Sequence, residues 1–94
     1  MRVYRSFSWK ETNLRVASPA FELITRAVVE QRRLLERYIA RHPEFQSSLV
    51  PVALLEQAPE VARRMAVAAE LTGLGPMAAV AGTLAQLGAE ARGA

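Results

Sequence analysis

Apolar and polar positions along this chain follow two different periods, and the change falls near residue 18. Before it, Val3, Arg5, Phe7 and Trp9 alternate with Tyr4, Ser6 and Ser8, and Leu14 and Val16 resume the alternation after Lys10-Glu11-Thr12-Asn13. A period of two predicts strands, here over residues 2–9 and 12–17, paired as an antiparallel hairpin. An isolated hairpin is marginal in water, so its aromatic face needs cover from helices or from a larger sheet.

Beyond residue 18 the spacing is helical. Ser18-Pro19 is a helix start, and Phe21, Ile24, Val28, Leu35, Tyr38 and Ile39 form one stripe broken only by Gln31. Glu22, Arg26, Glu30, Arg33, Arg37 and Arg41 fall largely outside that stripe, and Pro43 forbids continuation past His42. Residues 43–58 read as an irregular connection with one short helical turn, because Ser47-Ser48 and Pro51 punctuate it. Pro59 opens a helix to about Thr72, with Val61, Met65 and Ala68 inward, Arg63 and Arg64 outward, and Gly73 as a left-handed stop. Gly75-Pro76 then starts a last helix that carries Met77, Val80, Leu84 and Leu87 on one face. Ala78, Gly82, Ala85 and Ala89 leave the neighbouring faces nearly bare. A mid-helix glycine costs about 1 kcal/mol relative to alanine, so Gly82 is expected in a close helix contact that offsets it.

At 94 residues, 51% of them apolar, the chain suits one domain with one modest core. Its net charge is +3, with nine glutamates dispersed among the basic residues, which does not predict a nucleic-acid face. Cysteine and aspartate are absent and His42 is the one histidine. That composition excludes a disulfide framework, a thiolate nucleophile, a Ser-His-Asp triad and an aspartate-held magnesium within the chain. The opening residues lack a basic patch followed by an apolar run, so the expected location is the cytoplasm. Leu71 to Ala89 is uncharged, but four glycines, a proline, two threonines and a glutamine interrupt it, which predicts a buried helix instead of a membrane span.

The candidate chemistry concentrates at the last helix start. Gly75 would admit a ligand closely, and the N–H groups of Met77, Ala78 and Ala79 would point at an anion or phosphate. The same residues also serve a tight helix joint with close packing, and no phosphate-loop Lys or Ser/Thr stands beside them. His42 lacks an acidic partner that the sequence places beside it. Arg32, Arg33, Arg63 and Arg64 are either a phosphate clamp or an ordinary solvated face. Lys10, Glu11 and Thr12 occupy the hairpin connection, and Tyr4, Phe7, Trp9 and Tyr38 read as core aromatics.

Four runs carry a family resemblance: Trp9-Lys10-Glu11-Thr12-Asn13-Leu14, His42-Pro43-Glu44-Phe45, Ala58-Pro59-Glu60-Val61, and the segment from Gly73 to Gly82. Together they resemble the N-terminal portion of an uncharacterised family of the ApbE-like superfamily, whose best-known members are flavin transferases using FAD and magnesium. The resemblance implies an α+β fold, an N-terminal β-hairpin followed by about three helices, forming part of an ApbE-like layered domain. Residues 1–94 would then be a single domain or the N-terminal segment of a larger one. It further implies a flavin or nucleotide site shaped by Gly75, Met77, Ala78 and Ala79 and completed by missing residues or a partner. A different class fits the residues equally: a small non-enzymatic helical interaction protein whose Ala/Gly-rich helix packs on a partner. The expected partners are a second copy of the chain or a missing C-terminal region, with neither nucleic acid nor membrane involved.

Overall fold

The computed structural model describes residues 19–93, and every regular element among them is helical. Helix α1 spans Pro19–Arg41, the short α2 spans Glu44–Ser47, and α3 spans Glu60–Thr72. A 3₁₀ turn, Pro76–Ala79, leads into α4, Val80–Gly93. No strand occurs among the described residues, which corrects the α+β expectation; the two strands predicted at 2–9 and 12–17 lie outside them. Period-two spacing over so few residues is weak evidence for a sheet, and the described body needs none to close its core.

Local signals set most of the boundaries. α1 ends where the predicted stop places it: His42 N–H donates to Tyr38 O and Ile39 O, and Pro43 cannot add a further rung. α3 ends on Gly73, whose φ of 76° is left-handed and whose N–H donates to Ala69 O at 2.7 Å. Thr72 Oγ1 donates to Ala68 O and accepts from Leu74 N–H, which seals the corner from the other side. The last helix starts as predicted at Pro76, but its first turn is the tighter 3₁₀ form, with Ala78 N–H donating to Gly75 O.

The core is formed where these helices cross. Leu35 and Tyr38 of α1, Phe45 of α2, Val61, Ala62 and Met65 of α3, and Leu84 and Leu87 of α4 are buried together, with Ala58 at the mouth of α3. Ala69 is buried where the pattern predicted Ala68, which is half-buried. Tyr38 stands edge-on to Phe45 at 5.0 Å between ring centroids and edge-on to His42 at 5.7 Å. That arrangement clips α2 beneath the C-terminal end of α1.

The glycines separate into two kinds. Gly88 lies on the seam between α1 and α4, where an added Cβ would sit 2.9 Å from Val28 Cγ2 and 3.1 Å from Ile24 Cγ2. Gly82 has nothing within 4 Å, and this overturns the expectation of a close contact there. The close helix approach in α4 belongs to Gly88, six residues further along and on a different face. Ala78, Gly82, Ala85 and Ala89 are all exposed, so the bare faces of this helix meet solvent.

Among the described residues no single helix is long and apolar enough to cross a membrane. α3 and the 76–91 helix reach that length only as a pair, and a bend of 107° divides them.

Candidate functional site

The expected cofactor residues Gly75, Met77, Ala78 and Ala79 occupy the joint between α3 and α4. Gly75 is buried, and a Cβ on it would run into Ser48 O and crowd Leu49 Cα. What Gly75 admits is therefore the protein's own backbone, the segment that follows α2. Met77 and Ala79 pack against the core, while Ala78 is exposed. Pro76 is fully enclosed behind them.

Arg32, Arg33, Arg63 and Arg64 pair with glutamates of the same body. Arg33 pairs with Glu30 at 3.3 Å and Arg32 with Glu36 at 3.7 Å along α1. Arg63 pairs with Glu60 and also donates to Ala58 O. Arg64 donates through Nε to Glu60 Oε2 at 2.9 Å and makes a two-pronged contact with Glu90 at 2.8 and 2.9 Å, tying the first turn of α3 to the last turns of α4. The hydrogen bonds from Arg64, then from Arg63, hold the Glu60 carboxyl below the usual carboxylate range, and Arg64 does the same to Glu90. Arg64 itself is held more firmly protonated by Glu90 and Glu60. These contacts use the guanidinium groups of Arg63 and Arg64 inside the fold instead of leaving them as a phosphate clamp. Residues 19–93 hold eight arginines and eight glutamates, so the +3 balance resides in residues 1–18.

His42, beside which the sequence places no acidic partner, holds a backbone carbonyl. Its Nε2–H donates to Ala53 O at 3.0 Å. Arg41, one residue earlier, donates to Glu56 O at 2.9 Å with its guanidinium 5.4 Å from the centre of the Tyr38 ring. Tyr38 is 1% exposed, and its hydroxyl accepts the N–H of Leu55 at 2.9 Å. Sequence reasoning missed this grip. The available signal was that Tyr38, Arg41 and His42 share one end of α1 at spacings of three and four. Nothing in the sequence said which carbonyls they would reach.

Large aliphatic side chains remain in solvent on two neighbouring parts of the surface. Leu71 is 82% exposed and Val67 59%, on the outer face of α3, with Leu74 beyond the Gly73 corner. Leu49, 84% exposed, and Val50 lie on the segment that Gly75 touches, and Leu54 and Leu55 follow on it. Between α3 and α4, Val67, Ala68, Leu71 and Gln86 line a shallow open groove of about 340 Å³, with Glu60, Arg63 and Arg64 at its rim. Among the described residues no group of three His or Glu side chains is placed to hold a metal ion. The aliphatic part of this groove, Val67, Ala68 and Leu71, adjoins the charged Glu60, Arg63 and Arg64.

Among the described residues every regular element is helical, and several large aliphatic side chains stay exposed. Comparison with known proteins gives the chain a family. The family model described as AbpE bacteria matches residues 4–92, and the chain belongs to that family. It is 46% identical over 85 residues to a UPF0280 protein of Methanopyrus kandleri, covering 87% of this chain and 35% of the relative. A UPF0280 protein of Methanococcus maripaludis is 46% identical over 83 residues, 85% of this chain and 34% of the relative. One from Methanocaldococcus jannaschii is 42% identical over 81 residues, 83% and 33%. The chain thus spans about a third of the length of these curated relatives.

These matches correct the ApbE-like flavin transferase resemblance. The four runs that suggested it fall inside the matched span, but they lead to the AbpE bacteria family and to UPF0280 proteins, whose descriptions mention neither a flavin nor a transferase. The expected flavin falls with that resemblance. Its structural half is corrected too: a layered α+β domain requires a sheet, and no strand occurs among the described residues.

Proposed function

We propose that this chain is a non-catalytic helical docking module, whose outer α3 face is covered by the part of the longer family proteins that this chain does not span. The observation carrying the proposal is Leu71, 82% exposed on a helix whose opposite side is fully buried. Leaving several large aliphatics in water forgoes roughly 1.5–3 kcal/mol of transfer energy for each. A covering surface recovers it. Relatives at 42–46% identity have about two thirds of their length outside the matched region, so such polypeptide exists within the family. A cytoplasmic location belongs to the same proposal, supported by the absence of cysteine from the sequence.

The test is one substitution in two settings. In the 94-residue chain, Leu71→Glu should change stability by no more than about 0.5 kcal/mol, as exposed substitutions usually do. In the full-length Methanopyrus kandleri protein, glutamate at the aligned position should destabilise by more than about 2 kcal/mol, because it buries a charge against an apolar cover. Equal small effects in both proteins would show that the face stays uncovered and the proposal is wrong. A second copy is the cover available to the isolated chain. Sedimentation equilibrium at micromolar concentration should show association that Leu71→Glu abolishes.

A further inference from the structure

We infer that residues 48–58 are a preorganised docking segment, whose aliphatic side chains seat on an uncharged apolar surface in the region of the longer family proteins that this chain does not match. The inference rests on the docking reading above and names a second element that makes the contact.

The segment has no regular secondary structure, yet its backbone is held at five points along its length. Ser48 O fits against Gly75, where any side chain would collide with it. Ser48 Oγ accepts the N–H of Val50 at 3.1 Å and donates to Val50 O at 2.7 Å. His42 then holds Ala53 O, Tyr38 holds the N–H of Leu55, and Arg41 holds Glu56 O. Gln57, at φ 58°, turns the chain back toward Ala58 in the core. A plain connector leaves such groups to water. Here three side chains from one end of α1 take them.

The consequence lies in what is left facing outward. Leu49, Val50, Leu54 and Leu55 are all exposed, and Glu56 is the one ionised residue between 48 and 58. Apolar groups on a backbone that is already fixed lose little conformational entropy on docking, and this is what raises affinity at constant contact area. With so little charge in the segment, the fitting partner is apolar and not anionic. All of it lies within the matched family span, and the relatives supply the additional polypeptide.

Hydroxyl-radical footprinting of the 94-residue chain and of the full-length Methanopyrus kandleri protein tests this. The positions aligned with Leu49, Val50, Leu54 and Leu55 should label at least tenfold more slowly in the full-length protein than in this chain. If those aligned with Val67 and Leu71 are shielded while the 48–58 positions label equally in both, this inference fails and the docking reading stands. If no position is shielded, both fail. Dilution-sensitive shielding of the 48–58 positions in the 94-residue chain, persisting in Leu71→Glu, would make a second copy the occupant and overturn the assignment. In the same chain, Tyr38→Phe keeps the ring in the core and removes the hydroxyl that accepts Leu55 N–H. It should speed exchange of the Leu55 amide at least tenfold with helical circular dichroism unchanged. An unchanged exchange rate would show that the segment is not held as described.

Discussion

Gly82 and Gly88 belong to the same helix and meet opposite circumstances. At Gly88 the β-branched side chains of Ile24 and Val28 come to about 3 Å from where a Cβ would be, whereas around Gly82 there is open space. Six residues correspond to a rotation of about 120° between the two positions, enough to move a residue from the α1 seam to the solvent side. The comparison teaches that an alanine- and glycine-rich helix does not itself declare which face is close-packed. The bulky residues on the opposing helix decide it.

The contrast can be sharpened by substitution. The largest effect is expected at Gly75, outside α4 but pressed on backbone instead of side chains. Gly75→Ala should destabilise by about 3 kcal/mol in chemical denaturation, since Ser48 O can yield only if the 48–58 segment moves. Gly88→Ala comes next. A clash of about 1–3 kcal/mol against two stiff side chains is partly offset by the roughly 1 kcal/mol that alanine adds to helix propensity, leaving a net loss of up to about 2 kcal/mol. Gly82→Ala should do the reverse and stabilise by roughly 1 kcal/mol. If Gly88→Ala raised the denaturation midpoint as Gly82→Ala does, the distinction between the two faces would collapse.

The smallest effect concerns the ion pairs that fasten α3 to α4. The carboxyls of Glu60 and Glu90 are held below their ordinary range by Arg64 in the folded chain. Their contribution is therefore present above the unfolded value near pH 4.3 and is lost as pH falls through the lower folded values. Glu90→Gln should give a slightly lower midpoint at pH 7, with the difference shrinking as pH falls below the ordinary carboxylate range and in concentrated salt. A difference that depends on neither pH nor salt would mean that Glu90 acts through packing.

Those same residues show what could be read from sequence. Pro43, Gly73 and Pro76 are local signals, and the helix boundaries they predicted lie where the structure has them. The inward faces of α1 and α3 followed from spacing, apart from the exchange of Ala68 for Ala69. Contacts between distant residues were not legible. Arg64 and Glu90 are 26 positions apart, and Leu55 reaches Tyr38 across 17. The sequence contains no local mark of either. Gly75 was singled out correctly as a place of close approach, but composition could not tell a ligand from the Ser48 backbone. Gly82 was misplaced because its contact was argued from helix propensity alone, although it lies off the face that Met77, Val80, Leu84 and Leu87 mark. The strands predicted from alternation at residues 2–9 and 12–17 lie outside the described residues, among which every regular element is helical.

The seam between α1 and α4 also bears on how the chain is made. Its contacts join Ile24 and Val28 to Gly88, so α1 finishes synthesis long before its partner exists. At roughly 5–20 residues per second, the ~60 residues between them take on the order of 3–12 s to add. Throughout that interval the apolar stripe of α1 has only α2 and α3 to lean on. Closing a loop of that length then carries an entropic penalty of about 4 kcal/mol beyond a constant, which only α4 docking can repay. The nascent chain therefore passes through a timed window in which one helix waits uncovered, and a ribosome stalled between residues 70 and 80 would hold that window open.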